Sequence, residues 1–111
     1  MSADLTQPNG VYERRDEIQI VDVREPYEWQ AGRIEGAILL PLNQLMAGGG
    51  QDLDPSKPVV AVCRSGNRSE LARVMLQARG FDAHNMLGGM EEWSRAGLPF
   101  TTPEGQPGRV A

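Results

Sequence analysis

Two short runs dominate the hydrophobic pattern of this chain. Residues 18–23 (IQIVDV) are nearly all apolar and rich in β-branched side chains, and residues 59–62 (VVAV) are apolar throughout. Continuous runs of this length predict strands buried on both faces rather than strands with one wet face. Between and after them the spacing becomes helical. Glu25 and Pro26 open a helix over residues 27–31. Proline fits a first helical turn and a carboxylate suits the positive end of the helix dipole. Gly32 stops that helix. A short strand over residues 37–40 ends at Pro41, and residues 42–46 make a turn or two of helix before Gly48, Gly49 and Gly50. In residues 69–79, Leu71, Met75 and Ala78 recur at i, i+4 and i+7, with Ala72 and Leu76 beside them. This predicts an amphipathic helix stopped by Gly80. Residues 83–87 read as another short strand, and residues 90–96 as a last helix ending at Gly97.

Strands that alternate with helices predict the α/β class: a parallel sheet of about five strands with helices on both faces. At 111 residues the chain has room for one domain. Its ordered core is expected over about 11–100. Residues 1–10 and 101–111, rich in Pro, Gly, Thr and Gln, read as loose ends. In open parallel sheets chemistry gathers at the carboxyl ends of the strands. That directs attention to the residues just after Val23 and Val62.

Charge and cysteine usage narrow the function. The formal net charge is -4, which argues against nucleic acid as a partner. No apolar run approaches the ~20 residues of a membrane span. Residues 1–10 lack the basic and apolar segments of a secretion signal, so a cytoplasmic location is expected. Cys63 is the single cysteine, which excludes an internal disulfide, a CxxC redox pair and a multi-cysteine zinc site. The acidic residues are scattered without metal-ligand spacing, and no metal or cofactor is expected. Lys57 is the only lysine beside ten arginines. Arginine suits oxyanions, but a GC-rich genome accounts for the bias without any chemistry.

The candidate chemistry lies in Cys63-Arg64-Ser65-Gly66-Asn67-Arg68-Ser69. A thiol stands at the tip of a buried strand, a polar loop comes next, and then a helix begins. A loop so placed can turn several backbone N–H groups toward one point and bind an anion there. The same field, with two arginines nearby, lowers the pKa of a thiol. Gly66 permits a turn that a side chain would obstruct, and Ser65, Asn67 and Ser69 offer short groups for capping. A lone cysteine after an apolar run is more often a small buried hydrophobe. Five polar residues directly after it are a poor continuation of a core, and they reverse that preference.

This loop resembles the active-site loop of single-domain members of the rhodanese family of sulfurtransferases. The resemblance extends over about residues 18–99. Asp22-Val23-Arg24-Glu25 is similar to the family's turn after its first central strand. Gly32-Arg33-Ile34-Glu35-Gly36-Ala37 resembles the stretch usually written G-H-I-P-G-A. Gly88-Gly89, Trp93 and Gly97-Leu98-Pro99 resemble the C-terminal signature. Arg33 and Glu35 depart from the usual His and Pro, at a site more often structural. Few residues precede residue 18, so the family's usual first strand is expected to be reduced, at about residues 11–13. The resemblance implies that Cys63 takes the outer sulfur of thiosulfate or a related donor as a persulfide. Cyanide or a thiol then removes it. It further implies that Arg64 and Arg68 hold the sulfonate oxygens, with Ser65, Gly66, Asn67 and Ser69 completing the binding loop. With no second cysteine, the acceptor comes from outside, as a small molecule or a sulfur-accepting protein. A monomer is the expected state.

Two other classes compete. A cysteine phosphatase or arsenate reductase on the same fold uses C-x5-R, a ring wide enough for a tetrahedral oxyanion. Here Cys63 to Arg68 is C-x4-R, which suits a single sulfur better. A purely interacting module would have no need of Cys63. Elsewhere, Asp22 and Arg24 are expected to pair with each other or with loop residues. His84 is expected to be structural, and Trp29 and Trp93 to be core or pocket wall.

Overall fold

The computed structural model describes residues 3–111. In chain order the elements are helix α1 (Pro8–Glu13), strand β1 (Gln19–Asp22), helix α2 (Pro26–Ala31), strand β2 (Ile38–Leu39), helix α3 (Leu42–Met46), strand β3 (Val59–Val62), helix α4 (Asn67–Ala78), strand β4 (Ala83–Asn85) and helix α5 (Gly89–Arg95). The strands form one sheet in the order β2-β1-β3-β4, every pair parallel. The fold is therefore α/β with a parallel sheet. Among the described residues four strands stand where about five were predicted.

The two-residue period of β3 divides the core. Val59 and Ala61, with Cys63 after them, face one side, where Leu45 of α3 and Ala72 and Leu76 of α4 pack. Val60 and Val62 face the other, against Val11 of α1 and Met90 and Trp93 of α5. Helices thus cover both faces, as buried apolar strands require. Tyr12 of α1 meets Trp93 of α5 edge to face, with centroids 5.9 Å apart. The Trp93 indole N–H donates to the Pro99 carbonyl at 3.0 Å.

Three expectations change. Residues 11–13, expected as a reduced strand, belong to α1, which Pro8 starts and which buries Val11. Of residues 1–10, positions 1 and 2 lie outside the described residues. Leu5 is buried in the core, and the Leu87 amide donates to the Thr6 carbonyl at 2.9 Å, so this segment is tied down rather than loose. The end of the chain is also held. Thr101 bridges Arg33 and Pro107, and the Arg109 amide donates to the Ala31 carbonyl at 2.9 Å. In α4 the buried stripe is Ser69, Ala72 and Leu76. Leu71 and Ala78 lie in solvent and Met75 is half-buried. Helical spacing alone fits either stripe, and the sheet selects the one that includes Ser69.

Candidate active site

The loop from Cys63 to Gly66 leaves the carboxyl end of β3 and enters α4. Gly66 caps that helix in the left-handed region at φ +108°. That turn aims the Gly66 amide at the thiol, with N to Sγ 3.1 Å. Cys63 is 1% exposed. Its Sγ lies 3.2 Å from the Ser69 hydroxyl, which donates to Asn85 Oδ1 at 2.6 Å. A serine hydroxyl has one proton to give. With a neutral thiol, the chain runs from S–H to Ser69 to Asn85. With a thiolate, the Ser69 proton turns to the sulfur. Burial opposes ionisation of Cys63. The Ser69 hydroxyl and the backbone amides of Ser69, Gly66 and Ser65 outweigh it and hold the thiol below its usual value.

Other segments hold the loop in place. The Met90 amide donates to the Cys63 carbonyl at 2.8 Å and the Glu91 amide to the Arg64 carbonyl at 3.0 Å. Gly89 makes this approach possible. A Cβ there would stand 2.6 Å from the Arg64 carbonyl atoms and closer still to the Cys63 oxygen. Asn85 donates from Nδ2 to the Gly66 carbonyl at 3.1 Å.

The two loop arginines differ. Arg68 makes a two-pronged bond to Glu28 of α2, Nη1 to Oε1 at 2.6 Å and Nη2 to Oε2 at 2.9 Å. Glu28 is almost wholly buried, and its Oε1 also accepts the Glu25 amide at 3.0 Å. Burial disfavours the Glu28 carboxylate, but Arg68 and the Glu25 amide prevail and lower its pKa. Glu28 pushes the Arg68 pKa up against burial, and the charge of Cys63 adds to the rise. Arg64 is half-exposed and, among the described residues, its guanidinium pairs with Glu91, Nε to Oε2 at 3.4 Å. Ser65 and Asn67 are exposed at the loop surface.

The sequence reading missed Glu28 and Asn85. Glu28 reads as an ordinary first-turn helix acid, and nothing along the chain pairs it with a residue forty positions on. Asn85 left a signal: an amide in a buried strand needs a partner. Asp22 and Arg24 do pair, buried, with Arg24 Nη2 2.8 Å from Asp22 Oδ2 and 2.8 Å from the Gly32 carbonyl. They join the end of β1 to the end of α2. His84 sits at the surface, its Nε2 2.9 Å from Asp82. Trp93 is core, and Trp29 lies half-buried under the Arg33 guanidinium at 4.9 Å. A cavity of about 470 Å³, lined by Ile18, Ile20, Ile34, Trp93 and Phe100, contains no loop residue.

The sequence profile of the rhodanese-like domain matches residues 8–96 of this chain. The chain belongs to the rhodanese family. Among its rhodanese relatives, a sulfurtransferase of Allochromatium vinosum is 36% identical over 91 residues, spanning 81% of this chain and 84% of that one. The thiosulfate sulfurtransferase GlpE of Pseudomonas putida is 38% identical over 87 residues, 78% of this chain and 77% of that one. A rhodanese-related protein from Thermoplasma volcanium superposes with a TM-score of 0.81 at 29% identity, covering 86% of this chain and 94% of the other. Among the described residues, no helix is long and apolar enough to cross a membrane.

Proposed function

We propose that this rhodanese is a thiosulfate-type sulfurtransferase that carries sulfur as a persulfide on Cys63. The Cys63 thiolate attacks the outer sulfur of thiosulfate or a related sulfane donor. A bond forms between the two sulfurs, the donor's S–S bond breaks, and the rest of the donor, sulfite where the donor is thiosulfate, leaves with the electron pair. Cyanide or a thiolate then attacks the terminal sulfur and Cys63 departs as thiolate, so each cycle returns the starting enzyme. The observation that carries this reading is the hydrogen bonding of Cys63 Sγ by the Gly66 amide and the Ser69 hydroxyl. The same donors suit the thiolate and the anionic sulfur of the persulfide. Cys63 is the only cysteine, so the acceptor is external: a small thiol, cyanide or a sulfur-accepting protein.

The phosphatase alternative is disfavoured by two features. The C-x4-R loop is one residue shorter than such enzymes need, and Arg68 is bound to Glu28 rather than free to clamp a phosphate. The test is thiocyanate formation from thiosulfate and cyanide. Parallel double-reciprocal lines, the mark of two half-reactions, are expected, along with loss of the reaction in Cys63→Ser. Thiocyanate formation by Cys63→Ser near the parent rate would overturn the reading.

A further inference from the structure

The charges around Cys63 cancel. Each loop arginine ends on a carboxylate: Arg68 on Glu28 at 2.6 and 2.9 Å, and Arg64 on Glu91 at 3.4 Å. Glu70, whose Oε1 lies 3.3 Å from the Asn85 amide that holds Gly66, is itself paired with Arg73, so it leaves no free cation there either. Thiosulfate carries two negative charges. An anion entering this loop meets backbone amides and two neutralised ion pairs, not two free cations. Apolar surface stands alongside. Tyr27, 68% exposed, directly precedes Glu28, the partner of Arg68. Leu87, 51% exposed, precedes Gly88, which abuts Gly66.

On the proposed sulfurtransferase reading, we infer that the site selects organic sulfane donors bearing at most one negative charge, such as persulfides and thiosulfonates, over the thiosulfate dianion, and that Glu28 is the residue that sets this preference. Glu28 acts through Arg68. It is buried, so water screens its charge poorly, and it holds both prongs of the guanidinium. Glu91 acts likewise through Arg64, but at an exposed site where solvent weakens the effect. The organic part of the donor would lie against Tyr27 and Leu87.

The test compares two donors that transfer the same sulfur from the same S–SO2 linkage, thiosulfate and benzenethiosulfonate, with cyanide as acceptor throughout. The parent protein is expected to show the lower KM for benzenethiosulfonate. Glu28→Gln keeps the side-chain shape and frees the Arg68 charge. It should raise the ratio of kcat/KM for thiosulfate over benzenethiosulfonate about tenfold, through the KM for thiosulfate, and the gain should fade in high salt. Glu28→Gln with Arg68→Gln should bring the ratio back toward the parent value, which a merely structural loss would not do. Should Glu28→Gln not fold, Glu91→Gln at the exposed pair should move the ratio the same way by about two- to threefold. An unchanged ratio in every variant that folds, with thiocyanate still made from both donors, would overturn this inference and leave the sulfurtransferase reading standing. No thiocyanate from either donor would overturn both.

Discussion

Gly89→Ala should damage the active-site loop more than any ordinary surface change, and the size of its effect comes from distances. Gly89 has φ +58°, in the left-handed region. An alanine there costs roughly 1–2 kcal/mol on conformational grounds. Its Cβ would also stand 2.6 Å from the carbonyl carbon and oxygen of Arg64. Those are backbone atoms, so no side-chain rotation relieves the clash. Normal contact needs about 3.5 Å, so one of the two segments has to retreat by nearly 1 Å. That strains the bonds from Met90 to the Cys63 carbonyl and from Glu91 to the Arg64 carbonyl. Such bonds contribute about 0.5–1.5 kcal/mol each. The sum is about 2–5 kcal/mol, or a drop of at least about 10 °C in Tm for a domain of this size. A shift of that size at a nucleophile's backbone should also lower kcat, by as much as about a hundredfold. The control is Gly97→Ala at the end of α5. Its φ is +73°, but a Cβ there meets nothing within 4 Å, so only the conformational part remains. Thermal unfolding by circular dichroism and thiocyanate formation are measured on both. Equal Tm losses for the two, with parent activity in Gly89→Ala, would refute the claim that Gly89 exists to let α5 approach the loop.

Ser69→Ala should raise the Cys63 pKa, because it removes a donor to the thiolate, and should cost about 1–3 kcal/mol by leaving Asn85 Oδ1 without its partner. Iodoacetamide labelling against pH reads the first effect and urea unfolding the second. Acidification should destabilise the protein through Glu28. Its folded pKa lies below the ordinary value of 4.5, so its contribution is complete above that value and is lost as pH falls through the folded one. Glu28→Gln should remove that segment of the acid titration of stability, and an unchanged titration would count against the Arg68 pair. Arg64→Ala should raise KM for thiosulfate by no more than about fivefold with kcat nearly constant, since an exposed pair is screened, whereas Arg68→Ala should lower kcat. Steady-state kinetics at low and high salt separate the two, and equal losses in kcat would contradict the division. Inserting one residue between Asn67 and Arg68 should weaken sulfur transfer and strengthen inhibition by inorganic phosphate, as a wider amide ring would.

The parallel sheet was legible because its inner strands are buried on both faces, and the VVAV run leaves no other reading. The thiol at the end of that run, with its polar loop, was legible as the candidate site in the same way. The features that escaped notice depend on contacts between distant segments. Residues 1–10 read as a loose end and residues 11–13 as a reduced strand, yet Leu5 and Val11 find apolar partners on the far face of the sheet. The stripe of α4 was ambiguous because Leu71 and Leu76 both fit helical spacing, and only the position of β3 and β4 decides between them. Glu28 was invisible because its meaning lies in Arg68. The doubled glycine at 88–89 resembled a family signature without a reason, and the approach of α5 to the Cys63 carbonyl supplies it.

The central claim is a sulfur carried on Cys63, and accurate-mass spectrometry of the protein after brief exposure to thiosulfate tests it most directly. A gain of about 32 Da on the peptide containing Cys63 is expected, as one sulfur atom requires. Cyanide should remove it and yield an equal amount of thiocyanate. Oxidation to a sulfinic acid adds nearly the same mass, but cyanide does not discharge it. Thiocyanate released in steady turnover with no cyanide-labile sulfur on Cys63 would contradict the account.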